Sequence, residues 1–203
     1  MFILLLFLFI LLLPVLLLFG FFSLIGAGFE RLGIASELVF LLLILMFIGS
    51  FVNIPLARKR VVSVQVPHFF GLFKKTVMTA QGLTLNVGGA VIPIILALYF
   101  LLFTPLQEAA LATGIMIALA YITARFVPSK GITLPFLLPP IAAAMLASII
   151  SPEHPAQVSF ISGVFGVVIG ADLLHLPKVM NQGRGIMSIG GAGVFDGIFL
   201  VAI

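Results

Sequence analysis

Long apolar runs separated by short polar punctuation make up most of this chain, and few of them alternate with the period of a half-buried strand or an amphipathic helix. A helix that is apolar on every side belongs in a large core or in a bilayer. About twenty such residues cross the hydrocarbon layer. By that yardstick the pattern predicts seven helices, at residues 2–27, 34–56, 88–103, 108–126, 135–150, 158–176 and 188–203, the third, fifth and last being short. One stretch reads differently. Val61, Val62, Val64 and Val66 are broken by Ser63 and Gln65, and residues 76–87 are rich in Thr and Val. β-branched residues in such runs favour strands. Segment 57–87 is therefore expected to form a small β-hairpin with Pro67 and Gly71 in its turn region.

Composition turns this pattern into a class. Of 203 residues, 63% are hydrophobic and 8% charged, and the mean hydropathy is +1.38, which excludes a soluble domain of this size. The expected fold class is an all-α polytopic membrane protein, a single transmembrane domain over residues 1–203 with the lipid bilayer as its first partner. No Lys or Arg precedes the first apolar run, which is too long for a signal-peptide core, so it reads as a retained span. Without cysteine the chain has no disulfide or thiolate chemistry.

Charge orients the seven spans. One set of loops receives Arg58, Lys59, Arg60, Lys74, Lys75, Arg125, Lys130, Lys178 and Arg184, and the other only Arg31. Basic loops stay in the cytoplasm, which places the N-terminus and segment 57–87 inside a cell (inner or plasma) membrane. Glu30, Glu37, Glu108 and Glu153 then fall at or near the outer face. Phe69, Phe70, Leu72 and Phe73, between basic residues, are expected to dip into the headgroup zone. The pI of about 9.9 reflects these loops, and no basic soluble domain points to nucleic acid.

Asp172 and Asp196 are the acids left inside the last hydrophobic hairpin. Ionisable groups within spans are expensive, and by default they mark function. Two carboxylates at similar depth can share a proton, one serving as acid and the other as base. Around the first, Ser162, Gly166 and Gly170 recur every four residues as a close-packing stripe. His175, three residues beyond Asp172, can hydrogen-bond its carboxylate or hold it ionised. Around the second, Gly193 and Gly197 form another small pair that lets a neighbouring backbone approach. Pro135 and Pro139 open the fifth span beside this face. They either leave carbonyls unpaired near the site or simply start a helix where a missing N–H is harmless. Asn86 stands before Gly88, Gly89 and Pro93 as a cap or a polar site group. No nucleotide motif and no metal-ligand spacing stands out, so no cofactor or metal is expected.

Paired aspartates on adjacent helices, the second following Gly190-Gly191-Ala192-Gly193-Val194-Phe195, resemble the GxGD intramembrane aspartyl proteases, a class that includes presenilin, signal peptide peptidase and the prepilin peptidases. That resemblance covers roughly thirty residues and implies catalytic roles for Asp172 and Asp196 and a membrane-protein or peptide substrate. Over most of its length the chain also resembles an uncharacterised family of bacterial and archaeal membrane proteins, through Val52-Asn53-Ile54-Pro55-Leu56, Asn86-Val87-Gly88-Gly89-Ala90-Val91-Ile92-Pro93 and Gly170-Ala171-Asp172-Leu173. Two other classes stay open, a small proton- or cation-coupled transporter using the same acids and a non-catalytic assembly protein whose glycines pack helices.

Overall fold

The computed structural model describes residues 2–56, 60–68, 73–127, 131–135, 137–182 and 186–191. It is mostly helical, and its chain separates into two compact units, residues 1–43 and 44–202.

In the first unit, helix α1 (Phe2–Arg31) contains Pro14 and ends where Gly33 adopts a left-handed conformation, with φ of 88°. Ile34 N–H donates to Phe29 O at 3.1 Å and Gly33 N–H to Glu30 O at 2.9 Å, so the last carbonyls of α1 are satisfied as the chain reverses. Helix α2 (Ser36–Gly49) follows and carries the chain into the second unit.

The second unit is built on a long strand, β3 (Phe73–Asn86). Strand β2 (Arg60–His68) pairs with it antiparallel, from Arg60 opposite Gln81 to His68 opposite Phe73. The expected hairpin is therefore present, but its strands run further than anticipated. Pro67 lies inside β2 opposite Lys74 instead of in the turn. Its place on β2, which pairs on one side only among the described residues, is where a sheet accommodates proline. Gly71, Phe69, Phe70 and Leu72 lie outside the described residues.

Two short strands complete the sheet. β1 (Asn53–Pro55) lies antiparallel to β3, and β6 (Ile186–Ile189) lies parallel to Gly82–Leu85 of β3 on its other edge. Both correct the expected spans. The second span stops at Gly49, where Ser50 N–H closes onto Met46 O, and the chain then runs extended through Asn53-Ile54-Pro55. The seventh was expected from residue 188, but Ser188 and Ile189 belong to a strand followed by a turn at Gly190, with φ of 67°. The stretch expected as a loop from Pro177 instead forms α7 (Leu176–Gln182), with Pro177 in its first turn.

After β3 a π turn (Val87–Val91) leads into α3 (Ile92–Leu101). Then come α4 (Leu106–Thr123), a small hairpin of β4 (Arg125–Val127) and β5 (Gly131–Thr133), α5 (Leu138–Ile150), α6 (Pro155–Gly166) and a second π turn (Val167–Leu173). Helices α3 to α6 pack side by side. The last turn of α3 meets the start of α6 through Phe100 and Phe160, edge to face at 5.3 Å. Ala112 of α4, Ala147 of α5 and Val158 of α6 form a fully buried cluster at the same end. Further along, Gly166 sits against Met116, and Gly170 against Ile117 and Ala120. Thus α4 and α6 run parallel to each other, and α3 and α5 run antiparallel to them.

Among the described residues, Leu106–Thr123 and Pro155–Lys178 are long and apolar enough to cross a membrane, and Glu37–Gly49, Val87–Leu101 and Leu138–Ile150 are shorter apolar helices. The 18 residues of α4 extend about 27 Å, close to the hydrocarbon thickness. Leu111, Ile115 and Ile122 of α4 and Ile141, Met145 and Ile149 of α5 are exposed, and stripes of this kind suit lipid tails better than water.

Candidate functional site

The alternating directions of α3 to α6 gather one set of features at a single end of the second unit. These are the start of α3 with Asn86, the end of α4 with Tyr121, the start of α5 with Pro139, and the second π turn with Asp172 and His175. Strand β6 returns to this end as well, because it pairs with the last residues of β3. The opposite end holds Thr104, Glu108, Ser151 and Glu153, in or beside the tight turns before α4 and α6.

Around Asn86 the structure is tightly bonded. Its side chain is almost fully buried, at 1% exposure. Oδ1 accepts from Gly89 N–H at 2.7 Å, capping the first π turn, while Nδ2 donates to Ser50 O at 2.6 Å and to Asn53 Oδ1 at 3.1 Å. Ser188 Oγ donates to the same Asn53 oxygen at 2.7 Å, and Thr84 Oγ1 donates to Met187 O at 3.2 Å. Glycines make this convergence possible. A Cβ on Gly88 would collide with Met46 O, and one on Gly89 with Gly190 O, so the backbone of the π turn touches both the end of α2 and the turn after β6. The cap expected of Asn86 is present, and the same side chain ties the π turn to segment 50–53, which Ser188 joins through Asn53.

Pro139 is buried in the first turn of α5, where it forfeits no helical bond. Pro135 is exposed, and its carbonyl accepts from Leu138 N–H at 3.2 Å. Of the two readings of this segment, the plain helix start fits the geometry, and the Pro135 carbonyl is not an open acceptor. Met116, Leu119, Ala120 and Thr123 of α4, with Leu134, Leu138 and Pro139, line a shallow crevice here.

The small-residue stripe on α6 packs as expected. Ser162 is buried, and any Cβ at Gly166 or Gly170 would run into the backbone or Cβ atoms of α4. Asp172 lies in the π turn and is partly exposed. The π turn alters the local geometry, since Leu174 N–H reaches back five residues to Ile169 O, at 3.0 Å, instead of four to Gly170. The π register across Val167–Leu173 shifts the helical pitch, so the three-residue spacing of Asp172 and His175 does not by itself fix which face they share. His175 instead folds back: its buried ring places Nδ1 3.2 Å from Gly170 O and packs on Tyr121, with ring centroids 4.8 Å apart and planes at 37°. Tyr121 was not anticipated. Its signal was modest, one of only two tyrosines in the chain and the single aromatic residue of α4.

Asp196, Gly193 and Gly197 lie outside the described residues. Among the described residues no group of three His, Cys, Asp or Glu side chains could hold a metal ion.

Residues 47–203 match the model of a family described as a protein of unknown function (DUF1614), and the chain belongs to that family. No curated protein and no solved structure is significantly similar to it.

Proposed function

Starting from membership of this family and from the cluster around Asp172, we propose that the chain is a multi-pass protein of the cell membrane that hydrolyses peptide bonds of membrane substrates with Asp172 and Asp196. One observation carries the reading. Strand β6 returns to the end of the unit that bears Asp172, and only four residues lie between Gly191 and Asp196, a reach of at most about 18 Å. In this mechanism one carboxylate takes a proton from water as the water oxygen attacks the peptide carbonyl. The protonated partner donates a hydrogen bond to the carbonyl oxygen and stabilises the developing charge; the proton taken from water then passes to the amine nitrogen as the C–N bond breaks, which leaves one proton on the pair again. The low dielectric of the site favours one shared proton over two anions. No resident cofactor takes part.

The seven-span topology belongs to the same proposal, with the N-terminus and the Asp172 end in the cytoplasm. Arg60, Lys74, Lys75, Arg125 and Lys178 are at or attached to the Asp172 end, whereas Glu108 and Glu153 are at the other. Because the chain contains no cysteine, single cysteines can be introduced without background. An impermeant thiol reagent applied to right-side-out cells should modify position 153 and spare position 74. The reverse labelling would overturn the topology.

A second reading rests on the two π turns. Irregular helices near a carboxylate can supply carbonyl ligands, and a proton or cation pathway through Asp172, His175 and Asp196 would use them. Proteoliposomes separate the two. The hydrolase reading requires cleavage within the apolar segment of at least one peptide in a panel of single-span substrates. Intact peptides together with dissipation of an imposed pH gradient would favour the relay.

A further inference from the structure

The π turn leaves the Gly170 carbonyl without the Leu174 N–H that a regular α-helix would give it, and the His175 ring meets that carbonyl instead. A carbonyl oxygen can only accept, so a hydrogen bond at 3.2 Å requires the proton on Nδ1. In the neutral ring Nε2 then carries the lone pair. The ring is 5% exposed and lies on Tyr121, which restricts its rotation about the same contact. Gly170 serves both contacts. Its missing side chain lets Ile117 and Ala120 of α4 approach, which brings Tyr121 into place, and its carbonyl receives the imidazole.

We propose that Tyr121 is a positioning residue for the Asp172 site: its ring and the Gly170 carbonyl clamp His175 as the Nδ1–H tautomer and leave Nε2 as a proton acceptor. The role of that acceptor rests on the hydrolase reading. Between turnovers Nε2 accepts a hydrogen bond, directly or through one water, from the protonated carboxyl of the pair and holds that O–H in place until the substrate carbonyl takes it over. Among the described residues, Tyr121 of α4 packs on the ring, and Asp172 and Lys178 are its ionisable neighbours in sequence, three residues to either side.

Nitrogen NMR of the full chain in lipid, labelled with ¹⁵N-histidine, tests the clamp. The chain has three histidines, so His68→Gln and His154→Gln leave His175 as the sole signal. At a pH where the ring is neutral, Nδ1 should show the protonated-type shift and Nε2 the lone-pair type. Tyr121→Phe keeps a ring for the stack and should preserve this spectrum. Tyr121→Leu should give a mixture of tautomers and lower peptide cleavage about tenfold. A protonated Nε2 in the background protein would overturn the proposal, as would an unchanged spectrum in Tyr121→Leu. The tautomer is read without substrate. An uncut peptide panel therefore counts against hydrolysis, and a wrong tautomer counts against the clamp alone.

Discussion

Replacing either aspartate, Asp172→Asn or Asp196→Asn, is expected to lower cleavage of a membrane peptide by about 10²- to 10⁴-fold while the helical content and thermal midpoint in lipid stay near those of the unmodified chain. Asparagine keeps the size of the carboxylate and much of its hydrogen bonding, but it neither takes a proton from water nor shares one with its partner. The two roles belong to one step, so the double variant should be no slower than the slower single variant within a few-fold. Residues that act as a unit are not additive. Initial-rate measurements on the three variants decide this. Full activity in either single variant would remove the dyad.

The second large effect is on packing. Gly170→Val should destabilise the protein by about 3 kcal/mol or more, because its Cβ would meet the Ile117 carbonyl, a backbone atom of α4 that cannot swing aside, and the Ala120 Cβ at 2.9 Å. Forcing α4 away would also draw Tyr121 from His175, so the histidine spectrum should change together with the stability. Gly114 gives the contrasting case. It lies exposed in the interior of α4 with open space around its Cα, and Gly114→Ala should stabilise the helix by roughly 0.5–1 kcal/mol through its smaller backbone entropy loss. Thermal unfolding in matched lipid compares the two. Equal midpoints would contradict the close contact between the second π turn and α4.

Much of this architecture was legible in the order of residues because local rules govern it. The apolar stretches of α1, α4 and α6 needed only their length, the valine and threonine run of β2 and β3 needed only its β-branched content, and the Ser162, Gly166, Gly170 stripe needed only its spacing. Strands β1 and β6 were hidden for the opposite reason. Each is only three or four residues long, and β6 acquires its identity from a partner strand about a hundred residues away. The π turns are single-residue changes in hydrogen-bond register that hydropathy does not record. The same limit applies to the site. Asp172 and His175 stand out as polar residues in a hydrophobic span, but the contacts of the His175 ring with Gly170 O and Tyr121 depend on the π turn and on α4 and are not written in that spacing. Asn86 was recognisable as a cap from the glycines that follow it. Its bonds to Ser50 and Asn53 depend on tertiary contact.

The central claim is that Asp172 and Asp196 form one proton-sharing pair, and the composition offers an unusually direct test, since these are the only two aspartates in the chain. Labelling aspartate with ¹³C at the carboxyl carbon places a single pair of labels in the protein, and dipolar recoupling in lipid bilayers measures their separation. Carboxyl groups that share a proton directly or through one water should give a separation of about 4–6 Å. A separation beyond about 10 Å, persisting when a substrate peptide is bound, would contradict the pair and with it the hydrolase.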